Sequence, residues 1–204
     1  PTRSPARHLQ RRLPMAPRTA ALLVSGAALL AALAMVFVGW RLQSAVLVFD
    51  DPYGYLKMAR SVASGNGFDC FGAVLNRRAP LYPLFVGGLF AAFGDSPRLV
   101  QIVHALCHAA TALMVWEIGR RRFTPRAGLV AGLACALHPS LLRYVADFHI
   151  ETFLTLGFTA TAFAAERMLA RPTPARALAF GAVAGLTALA KAVALPGALA
   201  VVLW

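Results

Sequence analysis

Long apolar segments separated by short basic stretches dominate this 204-residue chain. Residues 20–40 form the first segment, and at about 1.5 Å per residue a helix of this length crosses a hydrocarbon core of about 30 Å. Further apolar segments follow at residues 98–118, 127–146, 148–165 and 177–190, and another begins at 192. The pattern predicts an all-α fold, a polytopic transmembrane helix bundle.

The region of about 50–97 has a different pattern, which predicts an outer loop with interfacial helices. Asp51 is an N-cap candidate in front of Pro52, and Gly65 can close the helix that starts there. An apolar stripe recurs between them at helical spacing, and it consists of Leu56, Ala59, Val62 and Ala63. A helix with one apolar face is expected to lie in the plane of the membrane surface.

Residues 80–93 form a second apolar segment in this loop. It is barely long enough to span a bilayer and carries two prolines, so we expect a second interfacial helix. This choice makes 98–118 run inward and places the arginines that follow it in the cytoplasm. If 80–93 crossed the membrane, the same arginines would face outward, against the positive-inside rule.

Charge supports this orientation. The chain has 20 lysines and arginines against 8 acidic residues, a net charge of +12. Because the arginines cluster at the ends of apolar segments and no nucleic-acid-binding motif is present, we predict a membrane partner and no nucleic acid. Residues 1–19 are predicted to be a basic cytoplasmic tail of a multi-pass protein of the inner (plasma) membrane. Twelve arginines then face the cytoplasm: Arg3, Arg7, Arg11, Arg12, Arg18, Arg120, Arg121, Arg122, Arg126, Arg167, Arg171 and Arg176.

The same topology gathers acidic and basic residues from distant parts of the chain at the outer face. Carboxylates at the edge of a bilayer are costly and usually functional. Acids and bases on one membrane surface are what a transfer reaction at a lipid–water boundary requires. The predicted set is Asp50, Asp51, Asp147, Glu151, Arg77, Arg78, Arg143, His149 and Lys191.

Several of these features have alternative structural interpretations. Asp51 could serve only as a helix cap, and Lys191 could extend its charge to the membrane surface instead of binding phosphate. His104, Cys107 and His108 share helical spacing, but no further ligand completes a metal site, so polar contacts between helices are the better interpretation. Four glycines suit close helix packing: Gly128, Gly132, Gly181 and Gly185.

The order of several short motifs resembles a known superfamily. Asp51 is followed by Tyr55, by Gly65-Asn66-Gly67-Phe68, by Arg78-Ala79-Pro80-Leu81-Tyr82-Pro83 and later by His138-Pro139 and Glu151. This sequence resembles the polyprenyl-phosphate-sugar-dependent glycosyltransferases of the GT-C type. The closest branch holds the protein O-mannosyltransferases and the lipid A aminoarabinose transferases. Family members are longer, so residues 20–204 are expected to be the N-terminal part of such a transmembrane domain.

The resemblance implies an inverting transfer of a sugar from a polyprenyl-phosphate donor to a lipid, glycan or protein acceptor at the periplasmic or extracellular face. It implies that Asp51 serves the catalytic centre, where this carboxylate could take the proton of the acceptor hydroxyl, and Asp50 could take one of the two roles of base and helix cap. It also implies a second acidic residue at Glu151, with Asp147 as the substitute. The leaving phosphate needs cations, and Arg78 and Lys191 are the candidates. The predicted substrate-binding set is Tyr55, Arg77, Arg78, Asp147, Glu151 and Lys191.

No cofactor is predicted with certainty. A divalent cation is the one candidate, because Glu151 could bind either acceptor or metal. The aminoarabinose branch carries Glu-Lys-Pro where this chain has Arg78-Ala79-Pro80, which argues against a metal site built on that glutamate. The alternative to an enzyme is a non-catalytic transporter or lipid-carrier subunit, which ionisable residues in the middle of helices would favour.

Overall fold

The computed structural model describes residues 16–41, 51–70, 73–74, 78–147, 149–194 and 196, and this part of the chain is almost entirely helical. Two strands of two residues, β1 (Asp69–Cys70) and β2 (Ala73–Val74), pair antiparallel. The predicted all-α class is confirmed, whereas this strand pair was not predicted. The helices are α1 (Pro17–Arg41), α2 (Asp51–Ala63), α3 (Leu81–Phe93), α4 (Pro97–Arg122), α5 (Pro125–Ala136), α6 (Pro139–Ala146), α7 (Ile150–Ala170) and α8 (Pro174–Ala190).

Three helices begin with the same local signal, a hydroxyl residue followed by proline. The hydroxyl accepts a hydrogen bond from a free N–H of the first turn, and proline has no N–H to leave unpaired there. These starts are Ser96-Pro97 at α4, Thr124-Pro125 at α5 and Thr173-Pro174 at α8. A local sequence signal therefore marks the start of α4, α5 and α8.

Helix α4 is the centre of the bundle, and α1 packs against it in the opposite direction. Near the start of α1, Val24 shares a hydrophobic cluster with Trp116 of α4. At its end, the indole N–H of Trp40 donates to Gln101 Oε1 at 2.6 Å. The observed start of α1 at Pro17 lies slightly before the predicted boundary at residue 20.

Helices α5 and α6 return along α4, and together they cover its length. Beside the end of α5, His108 Nε2 lies 3.0 Å from the carbonyl oxygen of Ala136. At the end of α6, the side chain of Gln101 donates to the carbonyl oxygen of Ala146. The segment predicted over 127–146 consists of two helices, α5 and α6, which meet at an angle of 43° and which are together long and apolar enough for one broken span. Pro139 at the start of α6 accounts for the break, since it cannot donate a helical hydrogen bond.

Helices α7 and α8 complete the bundle. Helix α7 runs parallel to α4, because Ile150 at its start packs with Val100 near the start of α4, while Glu166 near its end faces Arg122 at the end of α4 at 3.4 Å. Helix α8 runs back along α7, and Thr187 Oγ1 lies 3.3 Å from Thr161 Oγ1. The chain therefore alternates in direction from α1 to α8 around α4, as the predicted topology requires.

Two described helices, α1 and α4, are long and apolar enough to cross a membrane on their own, and the bent α5–α6 pair could form a third span. Helix α7 has 21 residues but carries Glu151, Glu166 and Arg167. Helix α8 has 17 residues and α3 has 13, so both are short for a bilayer core of about 30 Å. Helices thus occur at every predicted segment that the structure describes, and among the described residues α1, α4 and the α5–α6 pair are the candidates for spans by length and composition.

Glycines set how closely α4 and α5 approach each other. A Cβ atom at Gly128 would lie 2.5 Å from the nitrogen of Arg120 and 2.7 Å from the oxygen of Trp116. Gly181 and Gly185, in contrast, have no atom of the described residues within 4 Å of such an atom. The prediction of close packing is confirmed for Gly128 and for Gly132, whose added Cβ atom would lie 2.7 Å from Cβ of Trp116, but not for the Gly181–Gly185 pair within the described residues.

Helices α2 and α3 form a pair beside the start of α4. Helix α2 ends as predicted, since Gly65 has φ = +77° and the N–H groups of Gly65 and Asn66 donate to the carbonyls of Val62 and Ser61. The stripe residues Leu56 and Ala59 are buried against α3 and its neighbours. The apolar face predicted for the membrane surface is thus covered by protein.

Candidate functional site

The two ends of the bundle carry different residues. One end holds the last turn of α1, the last turn of α6, the start of α7 and the end of α8, with α2 and α3 beside them. The predicted site residues with described side chains all lie on the elements of this end: Tyr55, Arg78, Asp147, Glu151 and Lys191. The opposite end holds the arginines Arg120, Arg121, Arg122, Arg126, Arg167, Arg171 and Arg176. The alternating helix directions produce this separation.

Arg78 precedes α3 in the chain, and its side chain packs against the first turns of α2. Its guanidinium carbon is 4.5 Å from the centre of the Tyr55 ring, which is cation–π geometry. The same guanidinium lies against Gly54, where an added Cβ atom would be 2.7 Å from Nη2. Tyr55 itself is 5% exposed, so its ring supports Arg78 from inside the protein.

Tyr82 supports Tyr55 in turn. The two rings meet edge to face with 5.2 Å between their centres. The hydroxyl of Tyr82 lies 3.1 Å from Nε2 of His104, and its ring contacts that of Phe153 at 5.7 Å between centres. Burial, with smaller contributions from Tyr55, Cys107 and Glu151, raises the pKa of Tyr82 well above its usual value. The phenol therefore stays neutral, and the group is a rigid support for Arg78.

Glu151 and Lys191 form an ion pair between α7 and α8. Lys191 Nζ donates to Glu151 Oε1 at 3.2 Å. The other carboxylate oxygen, Oε2, lies 3.3 Å from His149 Nδ1 and accepts no hydrogen bond within the described residues. The side chains of Lys191 and Glu151 are 39% and 29% exposed, so solvent or a ligand can reach both.

Asp147 has a different partner. Its Oδ2 accepts from Nε of Arg143 at 2.9 Å, one turn earlier in the chain. The arginine is 73% exposed and the aspartate 16%. The described contacts therefore join Asp147 to α6 and do not join it to the Glu151–Lys191 pair.

The remaining predicted residues lie outside what the structure describes. Asp50 and Arg77 fall in undescribed parts of the chain, and of Asp51 only the backbone, at the start of α2, is described. Their proposed roles remain predictions. In a helix, position 51 precedes Gly54 and Tyr55 by about one turn.

The two histidines of α4 make polar contacts between helices, as their interpretation without a metal predicts. His104 meets Tyr82 of α3, and His108 meets the carbonyl of Ala136 at the end of α5. Within the described residues, no group of three or more His, Cys, Asp or Glu side chains could hold a metal ion. Lys191 also places a positive charge beside Glu151, which disfavours a cation there.

Sequence reasoning missed the supporting roles of Gly54, Tyr82 and Phe153. In the sequence, Tyr82 belongs to the Arg78–Pro83 motif, whereas Gly54 and Phe153 carry no prediction. The available signal was the position of Tyr82 four residues after Arg78. Nothing in a single sequence states that α3 would place this ring between Tyr55 and His104.

The chain matches the model of a known family. The family model described as dolichyl-phosphate-mannose-protein mannosyltransferase matches residues 77–204, which is more than half of the chain. No curated protein and no solved structure matches the chain. The matched region includes Arg78, Tyr82, Glu151 and Lys191, whereas α2 lies before it.

Proposed function

Because the chain belongs to the dolichyl-phosphate-mannose-protein mannosyltransferase family, we propose that it moves a sugar from a polyprenyl-phosphate carrier to an acceptor hydroxyl at the non-cytoplasmic membrane surface. At the general level it is a membrane glycosyltransferase of the mannosyltransferase type. The donor, the membrane face and the stereochemistry are parts of the proposal. An acceptor of protein or glycan type fits the family, and a lipid acceptor is the remaining candidate.

In the proposed step, the acceptor oxygen attacks the anomeric carbon of the sugar. The bond from that carbon to the phosphate oxygen breaks, and polyprenyl phosphate leaves with the electron pair. The proton of the acceptor hydroxyl passes to a carboxylate, for which we propose Asp51 with Asp50 as its neighbour. Attack opposite the leaving phosphate inverts the anomeric configuration.

Arg78 is the proposed cation for the leaving phosphate. A guanidinium binds phosphate oxygens through paired N–H donors, and such charge-assisted hydrogen bonds are stronger than neutral ones. The observation that carries the proposal is the position of Arg78 on Gly54 and Tyr55, about one helical turn from the start of α2 at Asp51. A base candidate and a phosphate-binding candidate thus belong to the same short stretch of the bundle.

Lys191 and Glu151 have a proposed role on the same end. Lys191 could contact the phosphate once the ligand competes with Glu151 for its ammonium group. The freed carboxylate would then bind a hydroxyl of the acceptor or of the sugar. The side chains are partly exposed, which permits such an exchange of partners. A metal ion is not used in this scheme.

The orientation is supported by the arginines at the opposite end of the bundle. Positive charges in short connections favour the cytoplasmic side. With that end inside, the end that holds Arg78, Glu151 and Lys191 faces outward. With this orientation the proposed position of the N-terminus is cytoplasmic, and the proposed location is the inner (plasma) membrane.

The test is the substitution Asp51→Asn in the protein kept in its membrane. Membranes with their own acceptors are given polyprenyl-phosphate mannose, and release of polyprenyl phosphate is measured. Loss of a general base is expected to lower turnover by about 100-fold or more. Asp95→Asn is the matched control, because Asp95 is a paired, exposed carboxylate on the same side, and we expect its turnover to stay within about twofold.

Full turnover in the Asp51→Asn variant, and in the Asp50→Asn and double variants, would contradict the proposed base. Loss of turnover in the Asp95→Asn control to the same extent would show that the assay reports general damage. A transporter or carrier subunit without chemistry would release no polyprenyl phosphate in any variant. Inversion is tested separately, from the anomeric configuration of the product.

A further inference from the structure

Gly54 is an unusual residue at its position in α2. It sits inside the 13-residue helix α2, where glycine is less favourable than alanine. It is also buried, so exposure to solvent does not account for it. The space that a side chain would fill is taken by the guanidinium of Arg78, with Nη2 at 2.7 Å, Cζ at 2.9 Å and Nε at 3.3 Å from an added Cβ atom.

The other contact of the same guanidinium is the ring of Tyr55. The distance from Cζ to the ring centre is 4.5 Å, and the ring is in turn held by Tyr82 at 5.2 Å between centres. Tyr82 is fully buried and reaches His104, so this support is continuous with the bundle. The bare backbone of α2 and a fixed aromatic ring thus both contact one cation.

We infer that Gly54 is a positioning residue, which together with Tyr55 forms a seat that fixes the guanidinium of Arg78 for a polyprenyl-phosphate group. This inference rests on the proposed function, in which Arg78 binds the leaving phosphate. It adds that phosphate binding depends on the absence of a side chain at position 54, because the guanidinium of Arg78 occupies that space. The chemical class of ligand is a lipid-linked phosphate mono- or diester.

The substitution Gly54→Ala is expected to displace the guanidinium of Arg78 without unfolding the protein. The atoms that a new methyl group would meet are the far end of a flexible side chain, which can move aside, and not backbone. Alanine also favours the helix more than glycine does. The variant is therefore expected to fold with unchanged or slightly raised thermal stability, while Arg78 loses its seat.

The experiment measures the Kd of a radiolabelled polyprenyl phosphate for the purified protein in nanodiscs. The expected increase for Gly54→Ala is on the order of tenfold, as for a charged contact moved by about 1 Å. Gly88→Ala is the matched control, because Gly88 is also helical and no atom of the described part of the chain lies within 4 Å of its Cβ position. Its Kd is expected to stay unchanged.

The double variant Gly54→Ala/Arg78→Ala tests whether the glycine acts through the arginine. We expect it to bind no more weakly than Arg78→Ala alone. A purely structural role for Gly54 would instead add its own loss in the Arg78→Ala background. It would also lower thermal stability, which the seat does not predict.

The outcomes distinguish the two proposals. If Arg78→Ala binds polyprenyl phosphate as the unchanged protein does, the phosphate role of Arg78 and the seat are both wrong. If Arg78→Ala weakens binding and Gly54→Ala does not, the seat alone is wrong. A Gly54→Ala protein that cannot be purified folded, while Gly88→Ala can, would also overturn the seat.

Discussion

Lys191 Nζ lies 3.2 Å from Glu151 Oε1, which joins the end of α8 to the first turn of α7. The sequence separation is 40 residues, so the contact depends on how α7 and α8 are aligned. The alignment is set partly by Gly157, where a Cβ atom would lie 2.8 Å from Thr187. The Glu151–Lys191 ion pair at the end of the bundle therefore depends on the close packing of Gly157 and Thr187 in the middle of α7 and α8.

The first prediction concerns this pair. Lys191→Met is expected to lower turnover with polyprenyl-phosphate mannose by about tenfold or more, because a phosphate contact and the partner of Glu151 are lost together. Thermal stability should change by no more than about 1 kcal/mol, since both side chains are partly exposed and solvent screens the pair. Transfer assays and thermal unfolding in detergent measure the two effects.

Arg60→Met is the control for that prediction. Arg60 and Asp95 form an exposed ion pair at 2.6 Å on the side of α2, and neither has a proposed role in transfer. We expect similar stability and normal turnover. Normal turnover in Lys191→Met would remove Lys191 from the site and leave only its pairing with Glu151.

The second prediction concerns the buried contact between Tyr82 and His104. Tyr82→Phe keeps the ring but removes the hydroxyl that lies 3.1 Å from His104 Nε2. The expected loss is about 1–2 kcal/mol of unfolding free energy, because a buried polar group then lacks this contact. Unfolding in detergent by heat or denaturant measures it.

A matched substitution exists on the neighbouring helix. Tyr53 of α2 is 37% exposed, so Tyr53→Phe is expected to change unfolding by less than about 0.5 kcal/mol. Equal effects of the two substitutions would mean that the Tyr82–His104 contact contributes nothing specific. A variant His104→Leu combined with Tyr82→Phe should lose less than the sum of the two single losses.

The third prediction compares two helical glycines. Gly128→Ala would place a methyl group against backbone atoms of Trp116 and Arg120, which cannot move without separating α4 from α5. We expect a loss of about 1–3 kcal/mol or a failure to fold. Gly185→Ala meets no atom within 4 Å among the residues that the structure describes, and it is expected to be neutral or slightly stabilising. Expression level and thermal unfolding of both variants decide the matter.

The fourth prediction tests the membrane orientation. A single cysteine at Asn66, in the exposed loop after α2, should react with an impermeant thiol reagent added outside intact cells. A single cysteine at Thr124, between α4 and α5, should react only after the membrane is made permeable. The native cysteines are replaced first. The reverse pattern would place Arg78 and Lys191 in the cytoplasm and remove the proposed reaction site.

Local signals predicted much of the helical framework. The end of α2 at Gly65 follows from glycine's tolerance of positive φ, and the start of α4 follows from a hydroxyl residue before proline. The grouping of Arg78, Glu151 and Lys191 at one end followed from segment lengths and charge. These inferences need only short-range rules and alternating direction.

Pairwise contacts could not be predicted in the same way. Gly128 and Gly185 look alike in sequence, yet only Gly128 faces another backbone. The role of Gly54 depends on where the guanidinium of a residue in another segment comes to rest. Such relationships arise from tertiary packing, which a single sequence does not state.

The break between α5 and α6 leaves a backbone carbonyl that His108 contacts. In a continuous helix the Ala136 oxygen would bond to an amide four residues further on, but here an imidazole from α4 is 3.0 Å away. A straight helix would remove this contact and leave the ring nitrogen without it in an apolar environment, where an unsatisfied polar group costs free energy. We therefore expect His108 to stabilise the bend between α5 and α6. A bulky or apolar replacement should loosen this bend before it affects the site residues.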